Sequence, residues 1–427
     1  MIPLRILVIS KEGDGLGVAQ RLALEGNKVD VFIAETRFAR AGRGLVNRVP
    51  NWATPARTAD LIIIDCVGMG KFEQRIRSFG APVLGLSDTL DKIELDRALG
   101  MEVFKRAGIT IPETYEFANV AEAQRLKETQ PWQDGWVIKP SGNISTAKTM
   151  VIKNEKTWAQ CISQIPPESN GILQRVLTGI EVSTEGWFNG TKFVAPFNHT
   201  FEEKRFLAGG LGDNTGCMGN VVLNAGTGDK LCRDTVLRMG TLLEALDYHG
   251  PLDINCIVRE DGAYALEATS RMGYDAVEAL AEGLNEPLGT FLLGVATGRS
   301  QPARLTADTM IAVRLSVPPW PVRKPDSDTH GALIDGIDEK SLPHLFLTDI
   351  YKDDEGYKTA AGDGVLLKAT ATGRVRENGD QLDYTYEARR RVYRTLDKLS
   401  ISGKQYRHDI GERVNREVKQ LKEWGWL

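Results

Sequence analysis

Residues 250–273 read GPLDINCIVREDGAYALEATSRMG. Two apolar runs flank Glu260-Asp261-Gly262, a turn-forming triplet, so the stretch predicts a β-hairpin. Asp253 and Glu267 fall on opposite strands near its open end. Two carboxylates so placed can hold a divalent cation against phosphate oxygens. Arg271, a few residues beyond Glu267, can reach a transferring phosphoryl group or an acyl phosphate. Paired strand acids are often simply solvated. Glu267, however, stands between AYAL and Ala268, and a charge in an apolar setting needs a partner.

Two further segments supply what a polyphosphate nucleotide needs. WVIKPSGNISTAKTMVI, at 136–152, reads as strand, loop, strand, with Lys139 at a strand end and Lys148 in the loop. Phosphate oxygens require such cations and N–H donors. ILQRVLTGIEVSTEGW, at 172–187, carries an apolar linker at Val176-Leu177 whose backbone can meet an adenine edge. Glu181 follows, placed to accept from ribose hydroxyls. Taken singly, these are a surface hairpin and an ordinary strand acid. Together they place a nucleotide between 136–152 and 250–273.

The first 88 residues are organised differently. Apolar or β-branched runs at 6–9, 28–33, 61–65 and 82–86 alternate with helical patterns, which predicts a small doubly wound sheet. The first run leads into SKEGDGLGVAQ, with Gly13, Gly15 and Gly17 before a helix. Such a loop can offer N–H groups to an anion. Its spacing is GxGxG rather than the dinucleotide GxGxxG, and a dehydrogenase reading finds no suitable His in this segment. A helix over 93–107 is capped by Gly108. From 112 to 310 strands dominate, with helical stretches at 155–163, 229–247 and 275–297. VPPWP at 317–321 reads as a boundary or turn, and the tail carries strands at 311–317 and 365–372 with an Arg-rich helix at 386–399.

Length and composition bound the rest. A chain of 427 residues suggests two to four domains. With a net charge of −4 and no basic stripe, nucleic acid is not expected as the main partner. No apolar run is long enough to span a bilayer, and MIPLRILVIS lacks a signal-peptide cleavage pattern, so a cytoplasmic protein is expected. Five Cys and five His, scattered, give neither a disulfide framework nor a zinc site.

These segments together resemble the ATP-grasp ligases, and within them the phosphoribosylamine–glycine ligase family, over nearly the whole chain. DRALGMEVFKRAGITIP, at 96–112, is similar to the family's lysine-bearing helix, with Arg97 in the lysine's place. VIKPSG supplies Lys139, and QRVLTGIEVS resembles the adenine linker and ribose acid. EEKRF followed by GDNTGCMGN, at 202–220, is close to the family's HKR and GPNTGGMGAY motifs. ALEATSRMG stands for IEFNCRFG, and YRHDIGER, at 406–413, for a terminal RKDIG.

The resemblance implies a multidomain α/β and α+β protein. It has a Rossmann-like N-terminal domain (1–88), a central ATP-grasp domain (89–111 and 182–310) with a lid (112–181), and a C-terminal mixed β domain (311–427). It implies an ATP- and Mg²⁺-dependent (or Mn²⁺-dependent) carboxylate–amine ligase working through an acyl phosphate. Glycine is the carboxylate by resemblance, an amine is the acceptor, and a monomer or homodimer is expected. Arg271, Lys204 and Arg205 are then catalytic. Arg97, Lys139, Lys148, Gln174, Leu177 and Glu181 hold ATP, and Glu267, Asp253 and Thr269 hold the metal. Gly13, Gly15, Gly17, Asn214, Thr215, Gly216, Met218, Gly219 and Asp275 meet the substrates.

Four features depart from the family pattern: the glycine-poor GNISTAKT loop, Thr269 for an Asn, MGYDAVE for FGDPE, and the missing GGREHA motif at the N-terminus. They keep open a different acid or amine, or a catalytically weakened nucleotide-binding relic.

Overall fold

The computed structural model describes residues 2–142, 149–298, 301–322, 330–378 and 381–427. Lys148 therefore lies outside the described residues.

The N-terminal segment forms a five-stranded parallel sheet. Its strands are β1 (Arg5–Ser10), β2 (Lys28–Ile33), β3 (Asn47–Arg48), β4 (Leu61–Ile64) and β5 (Val83–Leu84), in the order β3-β2-β1-β4-β5. β4, LIII, is buried throughout, as befits a strand covered on both faces.

A second, antiparallel sheet contains β6 (Thr114–Phe117), β7 (Trp136–Pro140), β8 (Met150–Ile152) and β9 (Gly171–Arg175), ordered β6-β9-β7-β8. Its outer face packs on a separate apolar cluster that includes Phe117, Trp136, Trp158 and Leu173.

The third sheet dominates the molecule. In chain order it takes β10 (Ile180–Asn189) and β11 (Phe193–Glu202), passes the small hairpin of β12 (Arg205–Leu207) and β13 (Leu211–Asn214), and resumes with β14 (Gly219–Ala225), β15 (His249–Arg259), β16 (Gly262–Thr269) and β17 (Thr309–Ser316). After β18 (Leu333–Ile334) it adds β19 (Leu345–Leu347). A three-stranded sheet joins β18 to β20 (Ile350–Asp353) and β21 (Gly356–Thr359), and β22 (Val365–Gly373) completes the large one. Eight antiparallel strands run β16-β15-β10-β11-β14-β17-β22-β19. The expected division at 310–311 thus falls inside β17, which pairs with β14 on one side and β22 on the other. The VPPWP segment follows β17 without separating two bodies.

The helical stretch expected over 275–297 is two helices, Ala276–Gly283 and Leu288–Ala296. Leu284 is extended and bridges Leu305, and Pro287 caps the second helix, so one continuous helix cannot form. The helix 276–283 lies across β17 and β22. At its end Glu282 accepts from Arg21, 3.2 Å away, and sits 2.6 Å from His344 Nδ1. The hydrogen bond to Glu282 raises the His344 pKa above its ordinary value. A raised folded-state pKa stabilises fully below the unfolded value, near pH 6.5, and the gain disappears as pH rises through the folded one. His344→Gln is therefore expected to lower stability at pH 6 and leave it unchanged at pH 9. His344 is exposed, so the difference should stay below about 1 kcal/mol. Equal losses at both pH values, in denaturant unfolding, would contradict this.

Candidate active site

Strand alternation builds the site. On β10, Val182 and Phe188 enter the main core, while Ser183 and Glu185 turn to the opposite face. β15 repeats the arrangement: Leu252, Ile254 and Cys256 are core, and Asp253 and Asn255 face the pocket. In register, Ser183 opposes Asn255 and Glu185 opposes Asp253. β16 continues the surface, with Glu267 opposite Asn255 and Thr269 opposite Asp253. A bulge at Asn255/Cys256 shifts the register just there, a common device beside active sites. The hairpin expected at 250–273 is present, and its two acids share one face.

The pocket over this face holds about 280 Å³. Arg97 Nη1 lies 2.9 Å from Glu267 Oε2. Lys204 Nζ lies 2.6 Å from Glu181 Oε1 and 3.5 Å from Glu202 Oε2. Lys139 reaches from β7 and donates to the Leu266 carbonyl at 3.2 Å. Arg271 Nη2 lies 2.9 Å from Glu94 Oε1. Loss of surrounding water pushes Glu267 up, but Arg97, Lys204 and Lys139 outweigh it and hold the carboxyl at about 2. Burial lowers the Lys139 ammonium to about 8, with Glu267 opposing. Burial also disfavours charge on Lys204, yet Glu202 and Glu181 raise its pKa overall. Glu181 moves down despite burial because Lys204 sits on it. The result is a dense set of positive groups about the ionised Glu267 and Glu181, beside the sheet that carries Lys139.

The expected residues divide into three groups. Arg97, Lys139, Glu181, Lys204, Asp253, Glu267, Thr269 and Arg271 come together here, with Asn214 and Gly216 on the pocket rim. Thr215 supports the rim from behind: its N–H and hydroxyl both donate to the Lys204 carbonyl, at 2.8 and 3.1 Å. Leu177 lies in the linker between β9 and β10. Gln174 stands on the same face of the four-stranded sheet as Lys139, two positions along β9 from its register partner, but its amide donates to Thr114 Oγ1 at 2.9 Å.

The others are placed elsewhere. Arg205, expected to be catalytic, is exposed on β12 and donates to the Gly212 carbonyl at 3.0 Å, because the hairpin turns its side chain outward. Met218 is buried against Trp320 and Val365. Gly219 starts β14, where an added Cβ would meet the Ala312 carbonyl at 2.7 Å, so its need is close strand packing. Asp275, expected to touch substrate, is wholly buried beneath the pocket wall, 2.8 Å from Arg314 Nη2 and 3.9 Å from Lys368 Nζ.

The N-terminal loop also differs from expectation. Gly13 N–H donates to Ser10 Oγ at 2.8 Å, and Gly15 N–H to Asp65 Oδ2 at 2.6 Å. A Cβ on Gly17 would lie 2.7 Å from Phe346 Cβ. These glycines admit a carboxylate and the Phe346 backbone of the protein itself. Two of the N–H groups that an anion would use are occupied, one by a buried acid.

Sequence reasoning missed Ser183, Glu185, Thr200 and Glu202, all of which line the pocket. The signal was period two: Glu181, Ser183 and Glu185 fall at every second position of one strand, and Thr200 and Glu202 flank Phe201 on the next.

Residues 96–275 match the family model for the phosphoribosylglycinamide synthetase ATP-grasp (A) domain. The phosphoribosylamine–glycine ligase of Streptomyces coelicolor is 26% identical over 356 residues, covering 79% of this chain and 80% of that protein. Its namesake from Caulobacter vibrioides is 24% identical over 415 residues, covering 92% of each. A crystal structure of the Thermotoga maritima phosphoribosylamine–glycine ligase superposes with a TM-score of 0.72 at 21% identity, covering 96% of this chain and 100% of that one, which establishes a shared fold.

Proposed function

We propose, from the ATP-grasp core of the phosphoribosylglycinamide synthetase type that residues 96–275 form, that this protein is an ATP-dependent carboxylate–amine ligase. A carboxylate oxygen of the acid substrate attacks the γ-phosphorus, ADP leaves, and an acyl phosphate forms. The amine nitrogen then attacks the acyl carbon, phosphate leaves with the C–O electron pair, the nitrogen loses a proton, and an amide results. The observation that carries the reading is the gathering of Arg97, Lys139 and Lys204 about Glu267. Such chemistry asks for positioning and charge neutralisation rather than a protein nucleophile. Cys217 fits this economy: burial raises its thiol far above the reactive range.

In this reading Arg97, Lys139, Gln174, Leu177 and Glu181 bind the nucleotide and Arg271 the acyl phosphate. Glu267, Thr269 and Asn255 would hold a divalent cation. Asn255 Oδ1 is buried without a hydrogen-bond partner among the described residues and lies opposite Glu267. An all-oxygen donor set with one ionised carboxylate suits Mg²⁺ or Mn²⁺, which keeps further positions for phosphate oxygens. The cation would neutralise charge on the transferring phosphoryl group. Asp253 faces Glu185 and is treated below.

The relatives' names suggest glycine and phosphoribosylamine as the first substrates to test. Purified protein with MgATP should release ADP and phosphate in equal amounts only when acid and amine are both present, with the amide detected by mass spectrometry. ATP binding with no turnover across a panel of acids and amines would favour a nucleotide-binding relic instead.

A further inference from the structure

One end of the pocket has no part in the scheme above. Glu185 projects from β10 directly opposite Asp253 on β15. Its side chain is sealed, with the residue only 1% exposed, yet Oε2 has no hydrogen-bond partner among the described residues. The cations of the site are engaged elsewhere: Lys204 with Glu181 and Glu202, Arg97 with Glu267, Arg271 with Glu94. Gly273 borders this end, and a Cβ there would come within 3.3 Å of Glu185 Oε2. The missing side chain leaves room beside the oxygen, at the end of the pocket that Glu185 and Gly273 line.

A buried carboxyl pair with an orphaned oxygen is costly unless something meets it. The two carboxyls stand in direct register on neighbouring strands, so a single positive partner can serve both. An anion has no place here, and an apolar group would leave the oxygen unpaired. A protonated nitrogen satisfies both acids at once, with the charge-assisted hydrogen bonds that are strongest out of water.

We propose that the Glu185–Asp253 recess beneath Gly273 binds a protonated nitrogen, an ammonium, of one of the two ligase substrates, and so selects that substrate. The proposal rests on the ligase reading for its word "substrate", but its binding step stands apart from turnover. The ammonium can belong to the acid or to the amine, and two pairs of probes distinguish them. The acid pair is glycine and glycolate; the amine pair is 2-aminoethanol and 1,2-ethanediol, which differ by one ammonium.

Each probe is titrated calorimetrically into the full-length protein held with MgADP. In the wild type, the member carrying the extra ammonium should bind roughly ten- to a hundredfold more tightly in at least one pair. Glu185→Gln, which keeps the shape, should erase that preference while leaving the MgADP affinity within about twofold. Asp253→Asn should act in the same direction, and its separate substitution guards against a folding defect in the first. Equal binding within both pairs overturns the proposal. So does a Glu185→Gln protein that keeps the preference, or one that loses MgADP instead, which would assign the acid to the nucleotide or its metal. Ammonium selectivity without ADP release for any acid–amine pair would retain the recess and defeat the ligase reading.

Discussion

Glu267→Gln is expected to lower kcat/KM by roughly two to three orders of magnitude while the protein stays folded. Glutamine preserves the shape of the side chain but removes the charge on which Arg97, Lys139 and Lys204 converge. Two effects add. A divalent cation held by Glu267 would lose its carboxylate, and Arg97, 2.9 Å away, loses its counter-ion and its fixed direction. Steady-state ADP release at saturating Mg²⁺ measures the first, and a higher metal concentration should recover part of the rate. An activity within tenfold of wild type would remove Glu267 from the metal site and with it the main support for the catalytic scheme.

The second large effect concerns stability. Asp275→Asn should cost about 3–5 kcal/mol, because it leaves Arg314 buried without its counter-charge. Burial alone would raise the Asp275 carboxyl, but Arg314 and then Lys368 hold it below its ordinary value. A depressed pKa stabilises above the unfolded value, near pH 3.9, and the gain fades as pH falls through the folded one. The variant and the wild type should therefore converge in strong acid. Thermal unfolding at pH 7 should show a clearly lower midpoint, and the double variant Asp275→Leu/Arg314→Met should recover much of the loss. A midpoint within a degree or two of wild type would show that water reaches the pair and that its burial carries little weight.

The contrast between Glu267 and Asp275 shows what the sequence can and cannot convey. Glu267 was readable because its strand, its turn and its register with Asn255 are local properties of twenty-odd residues. The doubly wound start was readable for the same reason, from four apolar runs and the helices between them. Asp275 was not. Whether a carboxylate beside a pocket faces substrate or a buried arginine depends on β17, which comes later in the chain and lies under the helix that Asp275 caps. The glycine loop failed in a related way. Gly13, Gly15 and Gly17 have the spacing of an anion cradle, but Asp65 and Phe346 decide what fills the space, and neither is near in sequence. Arg205 looked like a partner of Lys204, yet Lys204 lies in the link between β11 and β12 and reaches the acids, while Arg205 opens β12 and turns to the Gly212 carbonyl.

The single eight-stranded sheet has a consequence for how such a protein can diverge. The wall of the pocket at Gly273–Tyr274 is tied down through Asp275 to Arg314 and Lys368, on strands that belong to the last third of the chain. That third cannot be exchanged between relatives as a detachable module. A substitution there, far from ATP, shifts the wall against which a substrate rests. New specificity in this lineage is therefore written jointly by two stretches of gene that must change in step.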